Sequence, residues 1–129
     1  MTARWMLVLL VAILCAPCVA IAQADDARAS MEREATALFD ALRTSGCEFN
    51  RNGTWHDGAK AAQHLQRKYE HLRGKVGTTE EFIEQGATAS SMSGKAYQVR
   101  CGEAAAVPSG EWLLEKLYEL RQSGRFDSA

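Results

Sequence analysis

The sequence predicts an α+β domain in which about four helices pack on a short two-stranded antiparallel ribbon, closed by one disulfide. Three observations carry that expectation. Several stretches repeat apolar residues at helical spacing. Two short segments alternate instead, and each bears one cysteine, Cys47 or Cys101. An apolar N-terminal run with a small-residue exit directs the chain to a compartment where cysteines pair.

The elements follow in chain order. Asp25 to Ser45 reads as a helix, with Met31, Ala35, Leu38, Phe39 and Leu42 on one stripe. Asp25 or Asp26 is its expected N-cap, and Gly46 stops it. Cys47 to Arg51 alternates as a strand, and Asn52-Gly53 is a strong turn signal. Asp57 is placed to cap a second helix running to about Arg73, with Ala61, Ala62, Leu65, Tyr69 and Leu72 inward. Thr78 and Glu81 form a capping box before a short third helix carrying Phe82, Ile83 and Ala87. Thr88 to Gly94 is a serine-rich loop, and Tyr97 to Cys101 alternates as the second strand. Ala104 to Val107 is a linker. Ser109 is the expected N-cap of a last helix whose stripe is Trp112, Leu113, Leu117 and Leu120. The disulfide, Phe49, Val99, Leu38, Leu42, Leu65, Tyr69, Phe82, Leu113 and Leu117 are expected to share one core.

The N-terminus sets the expected compartment. Arg4 is followed by an apolar run from Trp5 to Leu14, shorter than the roughly 20 residues that span a bilayer. Ala22-Gln23-Ala24 suits signal peptidase, giving residues 1–24 as a cleaved signal and 25–129 as one domain; Ala20-Ile21-Ala22 is the second cleavage option, before Gln23. Removal takes Cys15 and Cys18 away and leaves Cys47 and Cys101. Neither has a CxxC partner or a histidine at ligand spacing, so a disulfide is expected rather than a metal pair. The remaining domain would be periplasmic, with no membrane anchor after cleavage. Lys and Arg number 15 against 16 Asp and Glu, and no basic block suggests nucleic acid.

The ribbon allows a sharper expectation. If the strands are antiparallel with Cys47 opposite Cys101, Phe49 faces Val99 and Arg51 stacks on Tyr97 on the side of the bridge. Glu48 then meets Arg100 and Asn50 meets Gln98 on the other side.

The polar residues admit two functional readings. Arg51, Asn52, His56, His64, Lys68, Ser90, Ser91, Ser93, Lys95 and Arg100 form a candidate surface for an envelope partner or an anionic small ligand, since guanidinium forks and loop amides suit phosphate or carboxylate. Alternatively, a serine of the 88–94 loop with His56 or His64 as base and Glu48 or Asp57 as orienter would make a small hydrolase, although neither GxSxG nor SxxK is present. Ordinary solvated charges and loop hydrogen bonds explain the same residues without any site. His56 and His64 are too far apart on one helix to share a metal, and no HExxH occurs, so neither metal nor cofactor is expected.

Two segments are distinctive: Cys47-x-Phe49-x-Arg51-Asn52-Gly53, and Ser93-Gly94 followed by Tyr97, Val99, Arg100 and Cys101. With His56, His64-Leu65, Lys68-Tyr69, Phe82-Ile83, Ala89 to Ser91 and Ser109 to Leu113, they resemble the YfeK-like family of small secreted bacterial proteins of unknown function. The likeness covers nearly the whole of residues 25–129, departing at Ala96, where proline is usual. It implies a Gram-negative envelope protein and carries no activity. The expectation is therefore a non-enzymatic binding protein of the periplasm, with the serine hydrolase as alternative.

Overall fold

The computed structural model describes residues 18–126. The charge and apolar run that argue for a signal, Arg4 and Trp5 to Leu14, lie outside them. Among the described residues, no helix is long and apolar enough to cross a membrane.

Among the described residues the fold is α+β, with four α-helices and a four-stranded antiparallel sheet in the order β2-β1-β3-β4. Helix α1 spans Cys18–Thr44. Its residues 21–29 are exposed, and burial begins with Met31. Asp25 and Asp26 lie inside this helix and do not cap it, which corrects the expected start. Gly46, at φ 68°, ends it where an L side chain would be strained.

Strands β1 (Glu48–Arg51) and β2 (Thr54–Asp57) make a hairpin over Asn52-Gly53. Both turn residues have positive φ, 54° and 86°, the signature of a type I′ turn whose twist matches the flanking strands. Asn50 Oδ1 accepts the Gly53 N–H at 3.0 Å. Strand β3 (Gln98–Arg100) pairs with β1 as Glu48–Arg100, Phe49–Val99 and Asn50–Gln98. That register is the one the alternating segments predict, and it brings Cys47 and Cys101 into a disulfide with Cα atoms 4.3 Å apart. The cross-link closes a separation of 54 residues, and in the chain-entropy model a loop of that size contributes ~4 kcal/mol. Strand β4 (Val107–Pro108) extends the sheet beyond β3.

The two-stranded ribbon expected from sequence is thus too small. Strand β2 has only four residues between a turn and a helix cap, and β4 has two, one of them proline. Thr54 to Asp57 shows no apolar and polar alternation, its burial running exposed, half-buried, half-buried, exposed, and two residues are too few to show any. Pairing to β1 and β3, not local pattern, makes them strands.

Helix α2 (Gly58–Leu72) starts on the expected cap, with Lys60 N–H donating to Asp57 Oδ1 at 2.8 Å. Its first residue approaches the end of α1 so closely that a Cβ on Gly58 would collide with the Leu42 carbonyl. Helix α3 (Thr79–Phe82) is capped by Thr78, whose Oγ1 accepts from Glu81 N–H at 3.1 Å, and continues into a π-helical turn at Ile83–Ala87. Helix α4 spans Ser109–Gln122. Pro108 stands at its cap without a side-chain bond, and Ser109 lies inside, its N–H donating to Tyr97 O at 3.0 Å. The strand that ends at Pro108 supplies the capping geometry that a serine hydroxyl was expected to give.

The inner face of the sheet and the four helices enclose one core. It holds every residue expected there, with Cys47 buried and Cys101 packed at the edge. Phe49 meets Trp112 edge-on at 5.5 Å, and Tyr69 meets Phe82 at 5.1 Å. Such edge contacts suit the ring quadrupoles. The Tyr69 hydroxyl is buried with no hydrogen-bond partner among the described residues, and burial raises its pKa.

Candidate functional site

A cavity of ≈60 Å³ opens between the inner face of the β1–β2 hairpin and helix α2. Its floor is apolar, made by Leu42, Phe49, Leu65, Ala87 and Leu113. Arg51, His56, Lys60, His64, Arg67 and Tyr97 surround it. Alternation puts Phe49, Arg51 and the opposed His56 on one side of the hairpin. On α2, Lys60, His64 and Arg67 follow i, i+4, i+7 spacing and fall on one face.

Arg51 Nη1 donates to His64 Nδ1. A guanidinium can only donate, so Nδ1 must present its lone pair and the ring proton resides on Nε2. Nε2–H points to Tyr97 Oη at 3.5 Å, and the two rings stand edge-on at 6.1 Å. Burial, then the charges of Arg51 and Lys68, lower the His64 pKa to about 4. The imidazole is therefore neutral at pH 7 and serves to orient Arg51.

Lys68 takes a different part from the expected one. Its ammonium donates to Gly86 O at 2.8 Å, Tyr97 Oη at 3.1 Å and Ala89 O at 3.3 Å. Three donors meet three oxygens, so Lys68 ties α2 to the π turn and the serine loop. It also stands 5.0 Å over the Tyr97 ring, the stacking position expected for Arg51. Arg51 reaches α2 instead, because Tyr97 lies just outside the paired part of β3.

Asn52 joins the hairpin tip to the serine loop. Ser93 Oγ donates to Asn52 Oδ1 at 2.6 Å, and Asn52 Nδ2 donates to Ser90 Oγ at 3.4 Å. Ser90 Oγ also accepts from Ser93 N–H. Ser91 and Lys95 are exposed. Among the described residues no hydrogen bond joins a serine to a histidine; both His64 nitrogens are engaged by Arg51 and Tyr97.

Arg100 departs from the group. It lies on the outer face of the sheet, paired with Glu48 at 2.8 Å and stacked 3.9 Å over Trp55. That places it with the cross-strand partner the register predicted and away from the cavity. His56 moves the other way. The sequence sets the two histidines on either side of the start of α2 and too far apart to share one face; His56 is on β2 and shares the cavity with His64. Among the described residues no cluster of three or more His, Cys, Asp or Glu could hold a metal.

The cavity's charge is unbalanced. The ion pairs among the described residues engage Arg43, Arg73, Arg100, Lys116 and Arg121. None includes Arg51, Lys60 or Arg67. Sequence reasoning missed Lys60, Arg67 and the part played by Tyr97. The i, i+4, i+7 row of Lys60, His64 and Arg67 was the available signal.

Residues 29–121 match a family of unknown function, DUF5329. This chain belongs to that family. Over 67 residues it is 36% identical to an uncharacterized protein, YfeK, of Salmonella typhimurium, the match covering 51% of this chain and 56% of the relative. The aligned stretch thus spans little more than half the length of that relative. No solved structure matches. The YfeK-like resemblance read from the two cysteine-bearing segments is the family that the match shows.

Proposed function

We propose that this DUF5329 protein is a non-enzymatic, periplasmic binding protein whose cavity beside α2 takes a small anionic ligand. The single observation that carries the reading is the Arg51 guanidinium, oriented by a neutral His64 at an apolar cavity and facing no carboxylate among the described residues. A planar fork fixed in direction is the form in which arginine recognises anions best. Lys60 and Arg67 add attraction from the same side. The Cys47–Cys101 disulfide is compatible with an oxidising compartment, which supports the envelope location. Ser90 and Ser93 are spent on Asn52 and on their own loop and Ser91 is exposed, so nothing favours the hydrolase.

The test is a two-dimensional NMR titration of the oxidised protein with inorganic phosphate and, separately, with acetate, each against sodium chloride at equal ionic strength, a saturable response to either anion counting as binding. Saturable shifts at Arg51, His64 and Arg67, abolished by Arg51→Ala, are expected. Shifts that follow ionic strength alone would refute the reading.

A further inference from the structure

We propose that the cavity selects a small free aliphatic monocarboxylate, its head on the Arg51 fork and its tail on the apolar floor. This rests on the anion-site reading above and adds the ligand's chemical class.

Three features separate a carboxylate from other anions. The first is the single oriented fork. One Arg51 nitrogen is committed to His64, and the guanidinium makes no other side-chain hydrogen bond among the described residues. Two parallel N–H groups match two carboxylate oxygens. The second is the floor. Leu42, Phe49, Leu65, Ala87 and Leu113 offer no donor, and Ser109 and Asn50 are the uncharged polar residues that line the cavity beside them, so a phosphate or sulfate seated there would leave most of its oxygens unpaired. A carboxylate turns its oxygens to the rim and its carbon chain inward. The third is size. The space is ≈60 Å³, well below the ~150 Å³ that accommodates benzene. A tail of about two to four carbons fills such a space and a ring does not. The neighbouring charges agree. Lys60 and Arg67 stand at the rim, His64 is neutral, and Asp57 spends its carboxylate on the cap of α2.

The experiment is calorimetric titration of the oxidised protein, at one ionic strength, with acetate, propionate, butyrate, isovalerate, benzoate and inorganic phosphate. Affinity is expected to rise roughly fourfold per added methylene until the floor is filled, and to fall for benzoate. Arg51→Lys keeps the charge but loses the fork, and is expected to weaken isovalerate tenfold or more. Ala61→Leu narrows the cavity with a good helix former, and should weaken isovalerate more than acetate. Melting temperatures of both variants close to the parent's exclude unfolding as the cause. Phosphate binding tighter than every carboxylate, and dependent on Arg51, would overturn the carboxylate class and leave the anion site standing. No response to any anion would overturn both. A short peptide ending in leucine that binds where free isovalerate does not would overturn the free-acid assignment.

Discussion

Two polar clusters, one joining α1, α3 and α4 and one beside α2 and the β1–β2 hairpin, are built on opposite principles. In the first, Glu34, Thr79, Glu80 and Arg121 tie the three helices together. Arg121 Nε donates to Glu34 Oε1 at 2.8 Å, and its Nη groups reach Glu34 Oε2 at 3.0 Å and Glu80 Oε1 at 2.5 Å. Thr79 Oγ1 donates to Glu34 at 2.5 Å. The guanidinium holds the Glu80 carboxyl below its ordinary value, and the two carboxylates raise the pKa of Arg121 in turn. In the second, Arg51, His64, Tyr97 and Lys68 form a chain without a carboxylate. The first cluster is closed, each charge answered by another. The second is open and cationic. A closed network holds helices; an open one is available to a counter-charge from outside.

The largest effect should come from opening the closed network. Arg121→Ala leaves the buried Glu34 with Thr79 alone and is expected to cost about 2–4 kcal/mol in urea unfolding. Arg51→Ala, in the open cluster, should change stability by less than about 1 kcal/mol. Equal losses in the two clusters would break the distinction.

Acid should separate the clusters by pH. His64 is held at about 4 against 6.5 in the unfolded chain, so between those values the unfolded chain binds more protons and stability falls as pH falls. The contribution is whole above pH 6.5 and lost toward pH 4. Because the ring is only part-buried, about 1–2 kcal/mol is expected, less than the full shift implies. Glu80, lowered from 4.5, keeps its contribution above that value and loses it progressively as pH falls below it. Denaturation midpoints measured along a pH series should show the His64 stage vanish in His64→Gln while the Glu80 stage persists.

Tyr69 belongs to neither cluster, and its orphan hydroxyl supplies a contrast. Tyr69→Phe should be neutral or stabilise by up to about 1 kcal/mol in thermal unfolding. A clear loss would reveal a hydroxyl contact in solution. The smallest effect is expected on the outer face of the sheet, where Glu48 and Arg100 pair in the open. A double-mutant cycle on them should return about 0.2–1 kcal/mol, shrinking with salt.

Much of the fold was legible because its signals are local. Thr78 and Asp57 announce their caps through a side-chain oxygen and an N–H three residues on. Residues Cys47 to Asn50 and Gln98 to Cys101 specify their register, because a slip by one would turn Phe49 and Val99 to solvent. Asn52-Gly53 was read as a turn, yet its positive φ values make it a hairpin only with β2 present to pair. Of the site, Arg51, His56 and His64 were chosen for their chemistry, and they share the cavity. Lys68, Ser90 and Ser93 have the same kind of chemistry and are consumed by backbone and Asn52 contacts that no spacing reveals. Glu34 was legible in principle: it lies three residues after Met31 and four before Leu38, a carboxylate on the apolar stripe.

What the chain determines by itself is therefore the set of helices, the paired strands β1 and β3, the disulfide and the core. Each follows from periodicity, caps or cysteine count, quantities defined within a dozen residues or by simple parity. What only the tertiary structure decides is which cations keep their charge for an outside partner. Lys68 meets carbonyls and Arg121 meets Glu34, while among the described residues Arg51 meets a neutral ring and a cavity. Each of those outcomes depends on a neighbour from another element, and a charge in a sequence carries no record of what will stand beside it.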